Sequence, residues 1–267
     1  MGAPEPGRAG ERVALLRASF PERPALGTAV SRAILLRAAA GELPPTIRVA
    51  RPGPVLAFGR QDAASRGYLE AVRAAREAGF EPVERLAGGR AAVFHEGTLS
   101  VSMAVPDRTP AARTEVRFEG MAEVVRTALA RLGVEARIGQ VPGEYCPGAW
   151  SVNARGRSKL AGIGQRLISG AAHLGGVVVV TDADRVADVL VPVYRALELD
   201  WDPATVGSVE DEVPGLEPDP VERSLLDELS ARYDPVESDL DPETIALAER
   251  LEHEHRAPAR RAPGLSN

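Results

Sequence analysis

The chain has 267 residues, 44% hydrophobic and 26% charged, with a net charge of −6 at pH 7 and a sequence pI near 5.4. That composition excludes wholesale disorder, collagen and coiled coil. The acidic balance and an aromatic content of 4% argue against a nucleic-acid partner held by counterion release or base stacking. A single cysteine, Cys146, excludes an internal disulfide and a multi-cysteine zinc site. His95, His173, His253 and His255 are the only histidines, and the last two fall in a charged C-terminal stretch, so no metal centre is expected. The first ten residues lack an apolar core of the secretory type, and the longest apolar run, 174–180, is too short to span a bilayer. These points predict a cytoplasmic protein with neither membrane nor nucleic acid as partner.

Residues 1–10 and 256–267 are rich in Pro, Gly and Arg and read as flexible tails. Residues 13–16 predict a first strand, and 26–39 a helix stopping before Gly41. Strands follow over 46–50 and 55–58, joined across the turn signature Arg51-Pro52-Gly53-Pro54. A helix is predicted over 68–78, then strands over 82–86, 91–95 and 99–105. Residues 118–132 carry Met121, Val124, Val125, Ala128, Leu129 and Leu132 on one helical stripe. A short strand over 134–138 leads into an irregular Gly/Pro-rich loop over 139–150. The runs 159–168 and 171–180 predict two long strands joined at Ser169-Gly170. Helices are expected over 185–197, 221–233 and 242–254, separated by acidic Pro-rich links. The order is mixed α/β followed by helices, which favours an α+β fold over a regular βαβ wind.

Two features carry chemistry. Gly88-Gly89-Arg90 follows a strand with Arg85 and precedes one ending at His95. Paired glycines let backbone N–H groups approach a ligand, and a nearby arginine grips phosphate or carboxylate, although a plain hairpin explains the pattern as well. The second feature is a coincidence of rare residues. Of 32 basic residues one is a lysine, Lys159, and the other 31 are arginine. A coding bias explains scarce lysine, but not why the one lysine follows the one cysteine so closely. Cys146 sits in a loop, where a neighbouring ammonium increases the thiolate fraction. Lys159 opens the small-residue strand Lys-Leu-Ala-Gly-Ile-Gly.

Three stretches occur in a consistent order: Val55-Leu56-Ala57-Phe58-Gly59-Arg60-Gln61, Arg85-Leu86-Ala87-Gly88-Gly89-Arg90-Ala91-Ala92-Val93-Phe94-His95-Glu96, and Ser158-Lys159-Leu160-Ala161-Gly162-Ile163-Gly164-Gln165-Arg166. His173 and Gly176 lie downstream. Together they resemble the lipoate–protein ligase and octanoyltransferase family, in the superfamily shared with biotin–protein ligase, over about residues 10–195. The resemblance implies mixed, mostly antiparallel sheets with packed helices. It places a catalytic domain at 11–195 and a helical C-terminal extension at 196–255. It implies an acyl pocket lined by Arg85, Gly88, Gly89, Arg90, His95 and Gly162, with Lys159 contacting the acyl carbonyl or phosphate oxygens.

Cys146, in Cys-Pro-Gly-Ala-Trp-Ser-Val, is similar to the nucleophile region of the LipM-type octanoyltransferases. The implied reaction is a thioester relay from acyl carrier protein through Cys146 to a lysine of a lipoyl carrier domain, with no cofactor. That carrier would be a 2-oxoacid dehydrogenase subunit or the glycine cleavage H protein. Lys159 is expected to lower the thiol pKa and to donate to the developing oxyanion. The rival is an ATP- and Mg-dependent lipoate–protein ligase with Cys146 as bystander. A third reading is a non-catalytic carrier-binding module. Octanoate and lipoate both remain open as the acyl source.

Overall fold

The computed structural model describes residues 10–258. Its N-terminal half runs β1 (Glu11–Leu16), α1 (Pro24–Ala39), β2 (Thr46–Ala50), β3 (Val55–Phe58), α2 (Arg60–Ala63), α3 (Tyr68–Glu77), β4 (Glu81–Glu84), β5 (Ala92–Phe94), β6 (Thr98–Pro106) and α4 (Thr114–Arg131). The rest comprises β7 (Ala136–Ile138), β8 (Val152–Ala154), β9 (Ser158–Ile168), β10 (Ala171–Val179), α5 (Ala183–Ala196), α6 (Val209–Glu212), α7 (Pro218–Arg232), β11 (Tyr233–Glu237) and α8 (Pro242–Leu251). A large sheet has the order β11-β1-β2-β6-β10-β9-β8-β7, and a small one the order β4-β3-β5. In the large sheet only the β11–β1 and β1–β2 pairs are parallel, so the fold is the mixed, mostly antiparallel arrangement expected.

Alternation along the strands decides which layer covers which face. Val13, Leu15, Ile47, Val49, Leu99, Val101, Met103, Val105, Leu174 and Val178 share one core with the apolar stripe of α4 and with Val221, Leu225 and Leu229 of α7. Leu16, Ala104 and Ala171 belong to the opposite face, where α1 and α8 pack. The small sheet builds a second core with α3 and α5, through Leu56, Phe58, Val72, Val189, Leu190 and Val193.

The turn at 51–54 joins the two expected strands and carries the chain from β2 in the large sheet to β3 in the small one. Residues 196–255, expected to be helical, do carry α6, α7 and α8, but they also supply β11. That strand lies parallel to β1, with Val13 opposite Pro235. Proline is tolerated there because β11 is the outer strand of the sheet. The C-terminal stretch stays anchored further than the sequence suggests. His255 is buried and its Nδ1–H donates to the Glu84 carbonyl at 2.7 Å, Arg256 bridges to Val83, and Ala257 is buried. The remainder of the two expected tails, 1–9 and 259–267, lies outside the described residues. No helix of the described chain is long and apolar enough to cross a membrane.

Candidate active site

Three segments converge where the two sheets meet: the β4–β5 connection carrying Arg85 to Arg90, the irregular β7–β8 connection carrying Glu144 to Cys146, and the first half of β9. Cys146 adopts φ +41°, the left-handed region that non-glycine residues rarely occupy. Two hydrogen bonds hold the backbone there. The Cys146 N–H donates to Tyr194 Oη at 2.9 Å, and that hydroxyl donates to the Ala91 carbonyl at 3.0 Å. The turn thrusts the sulphur toward the Gly-rich connection, where Sγ accepts from the Arg90 N–H at 3.2 Å and from Arg85 Nη2 at 3.4 Å.

Only glycine fits at position 89. Its φ is +103°, and a Cβ there would collide with Arg85 Nη2 and lie 2.8 Å from Cys146 Sγ. The connection is pinned to β9 by the Gly88 N–H, which donates to the Gln165 carbonyl at 3.2 Å. Gly164 permits that approach, since a Cβ would come within 3.1 Å of the Gly88 carbonyl oxygen.

Lys159 lies beneath the cysteine and is 1% exposed. Its ammonium donates to the carbonyls of Cys146 at 2.8 Å and Tyr145 at 3.0 Å and to Glu144 Oε1 at 3.3 Å, and it sits 4.8 Å from the Tyr145 ring centre. Glu144, also buried, accepts further bonds from the Val141 and Gly148 N–H groups and from Ser151 Oγ. Burial pushes the Cys146 thiol up, but Arg85, Lys159 and the Arg90 N–H together outweigh it and hold the thiol below its ordinary value. Burial lowers Lys159, against the opposing pull of Cys146 and Glu144.

Arg85, Gly88, Gly89, Cys146, Lys159 and Gly162 line one cavity of about 320 Å³. A smaller cavity of about 140 Å³ adjoins it, sharing Arg85 and extending over Leu86 and Ala87 toward α1. Residues 23–230 match the family described as the lipoyl protein ligase A/B catalytic domain. The chain belongs to that family.

Within this family member the expected site is only partly assembled. Arg90 contributes its backbone N–H, while its guanidinium turns to the buried Asp62 at 3.3 Å. His95 is fully buried away from Cys146, with Nδ1 accepting the Gly97 N–H at 3.0 Å, and it lines neither cavity. Lys159 faces the backbone behind Cys146, so its geometry is not that of the oxyanion donor expected from the sequence. Glu144 and Tyr194, which position the cysteine loop, went unnoticed in the sequence, where no spacing marks a carboxylate in an irregular loop or a tyrosine on a helix 48 residues away.

The chain is 29% identical over 142 residues to the octanoyl-GcvH:protein N-octanoyltransferase of Geobacillus kaustophilus, a match covering 53% of this chain and 50% of the relative. It is 38% identical over 117 residues to the octanoyltransferase LipM of an Exiguobacterium species, covering 42% of this chain and 41% of that one. The chain thus spans about half the length of these curated relatives, or less. Among solved structures it superposes on a lipoate-protein ligase A bound with ATP at a TM-score of 0.72 and 21% identity, over 91% of this chain and 95% of that one, which establishes a shared fold.

Proposed function

We propose that this chain is an acyltransferase of protein lipoylation, moving an octanoyl or lipoyl group through a thioester on Cys146 to a lysine of a lipoyl carrier domain. The observation that carries the reading is the presentation of Cys146: a left-handed backbone, with Sγ bonded to a backbone N–H and a guanidinium at the head of a cavity. The thiolate attacks the carbonyl carbon of a carrier-bound acyl thioester. As the tetrahedral oxyanion forms, Arg85 Nη2 and the Arg90 N–H are the donors near enough to turn to it. Collapse expels the donor thiolate, which takes up a proton, and leaves the acyl group on Sγ. The ε-amine of the acceptor lysine then attacks, an amide forms, its proton is lost, and the Cys146 thiolate leaves. Lys159 acts from behind, fixing the loop carbonyls and stabilising negative charge on the sulphur.

The names of the relatives make an octanoylated H protein a second candidate donor beside acyl carrier protein. The test is incubation with octanoyl acyl carrier protein, or separately with octanoylated H protein, without ATP, followed by intact mass of the enzyme and of an acceptor lipoyl domain. One octanoyl group on the enzyme, absent in Cys146→Ala, is expected. The ATP-dependent alternative needs Lys159 to hold a phosphate, whereas its ammonium is already committed to a carboxylate and two carbonyls. Lipoate-dependent ATP–pyrophosphate exchange that survives Cys146→Ala would overturn the relay.

A further inference from the structure

The face of the large sheet turned toward the small one carries mostly small residues beside the site. Across it Gly164, Gly175, Ser102 and Arg48 lie in register in one row, and Gly162, Val177, Ser100 and Ala50 in the next. Gly162 and Gly164 border the Cys146 cavity, whereas Gly175, Ser102 and Arg48 border the smaller one. The two cavities share Arg85 and together make a corridor from Cys146 along the row of Val177, Ser100 and Ala50 to β2, beside the Ala87–Gly88 segment that covers Gly164. That is three strand spacings, roughly 14 Å.

The far end of this corridor is polar. Arg48 is 8% exposed and has no carboxylate partner among the described residues. Its Nε donates to the Ala18 carbonyl and its Nη1 to the Gly27 carbonyl, both at 2.8 Å, and Nη1 also reaches Ser31 Oγ at 3.3 Å. Nη2 makes no hydrogen bond among the described residues. His173, 5% exposed, lies over Gly175, where a Cβ would be 3.2 Å from Nε2, and its ring makes no hydrogen bond among the described residues. Burial and the nearby Arg48 hold this imidazole at about 4, so it is neutral at physiological pH and keeps one N–H to give. Among the described residues no aspartate or glutamate lines the smaller cavity. A plain alkyl terminus would leave these buried donors unmatched.

We infer that the corridor selects acyl chains bearing a hydrogen-bond acceptor at the end remote from the carbonyl, through Arg48 Nη2 and the His173 N–H. The dithiolane sulphurs of a lipoyl group and a terminal oxygen both meet that description, and an octanoyl chain does not. This rests on the acyl-transfer reading above.

The experiment follows acyl-Cys146 formation by intact mass, using octanoyl, 8-hydroxyoctanoyl and lipoyl thioesters of one carrier. It compares wild type with Arg48→Met and His173→Phe. The wild type is expected to favour 8-hydroxyoctanoyl over octanoyl by roughly tenfold, the scale of one hydrogen bond to a charged group, and lipoyl over octanoyl by a smaller factor, because sulphur is a weaker acceptor. Arg48→Met should bring each ratio to about one, and His173→Phe should reduce it. Because each ratio is taken within one enzyme, partial misfolding of a variant cancels. Equal wild-type rates, or a ratio indifferent to Arg48→Met, overturn the inference. If no thioester forms with any donor, the acyl-transfer reading fails instead. Calorimetric binding of 8-hydroxyoctanoate against octanoate to the Cys146→Ala and Arg48→Met proteins then still decides the corridor's selectivity.

Discussion

Replacing Glu144 by glutamine removes one charge and almost no volume, so it isolates the anchor under the cysteine loop. Oε1 of Glu144 accepts from Gly148 N at 3.0 Å, Ser151 Oγ at 2.7 Å and Lys159 Nζ at 3.3 Å, while Oε2 accepts from Val141 N at 3.1 Å. All four partners are donors. Whichever way the amide of glutamine turns, its NH₂ group meets at least one N–H that needs an acceptor. One unmatched buried donor costs about 1–3 kcal/mol. Lys159 also loses its carboxylate in a site where it is 1% exposed; breaking a buried ion pair typically costs about 3–5 kcal/mol, softened here by the remaining amide oxygen and two carbonyls. An overall loss of about 3 kcal/mol is expected, lowering the melting temperature by roughly 6–12 °C in a domain of this size. Transfer should fall with it, because Cys146 rides on the loosened turn. The assay pairs thermal unfolding with the rate of acyl-Cys146 formation. A variant melting within about 2 °C of wild type and transferring normally would falsify the assignment of Glu144 as the anchor.

Three further perturbations probe the neighbours. Iodoacetamide alkylation of Cys146 should titrate below the ordinary thiol value of about 8.5, and Arg85→Met should move that midpoint upward; an unchanged midpoint would mean the guanidinium does not act on the thiolate. Tyr194→Phe leaves the Cys146 N–H and Ala91 carbonyl unmatched, with an expected loss of about 1–3 kcal/mol. It should lower kcat with little effect on KM for the carrier; a change in KM alone would point to a docking role instead. His173 is held at about 4 against an ordinary 6.5, so on acidification the unfolded chain takes up the proton first. Its effect is absent above pH 6.5 and grows as pH falls to 4, reaching at most roughly 3 kcal/mol of lost stability. His173→Gln should flatten that part of the stability profile, and an unaltered acid limb would contradict a buried neutral imidazole.

The regular elements were readable because burial and periodicity coincide in them. The stripe on α4 points into the main core, and the Ser169-Gly170 turn joins β9 and β10 as a hairpin. What escaped was set by distant partners. β11 contains Pro235 and has the composition of a link; only its place beside β1 makes it a strand. β8 is three residues long and is defined by its pairing with β7 and β9. In the candidate site, Arg85, Gly88, Gly89, Cys146, Lys159 and Gly162 do line one cavity. His95 does not join them, because its position at the end of β5 turns the ring into the protein and onto the Gly97 N–H. Nothing in a one-dimensional pattern distinguishes that orientation from one facing a ligand.

The lone lysine among 31 arginines acquires a steric reason. Its ammonium fits between the Tyr145 ring, Glu144 and two successive carbonyls, and a Cβ on Gly162 would lie only 3.2 Å from Lys159 Cε. A compact point charge with three rotatable donors can serve three acceptors gathered around it; a planar guanidinium is larger and fixed in its fork. Lys159→Arg therefore keeps the charge and should still fail, through overpacking that costs roughly 1–3 kcal/mol and displaces the Cys146 carbonyl. Lys159→Met keeps the volume and loses the charge, so Cys146 should titrate higher than in wild type while its backbone stays closer to place. Alkylation against pH separates the two outcomes. If the arginine variant keeps a depressed thiol and transfers at the wild-type rate, charge alone suffices at this position, and the scarcity of lysine elsewhere carries no structural meaning here.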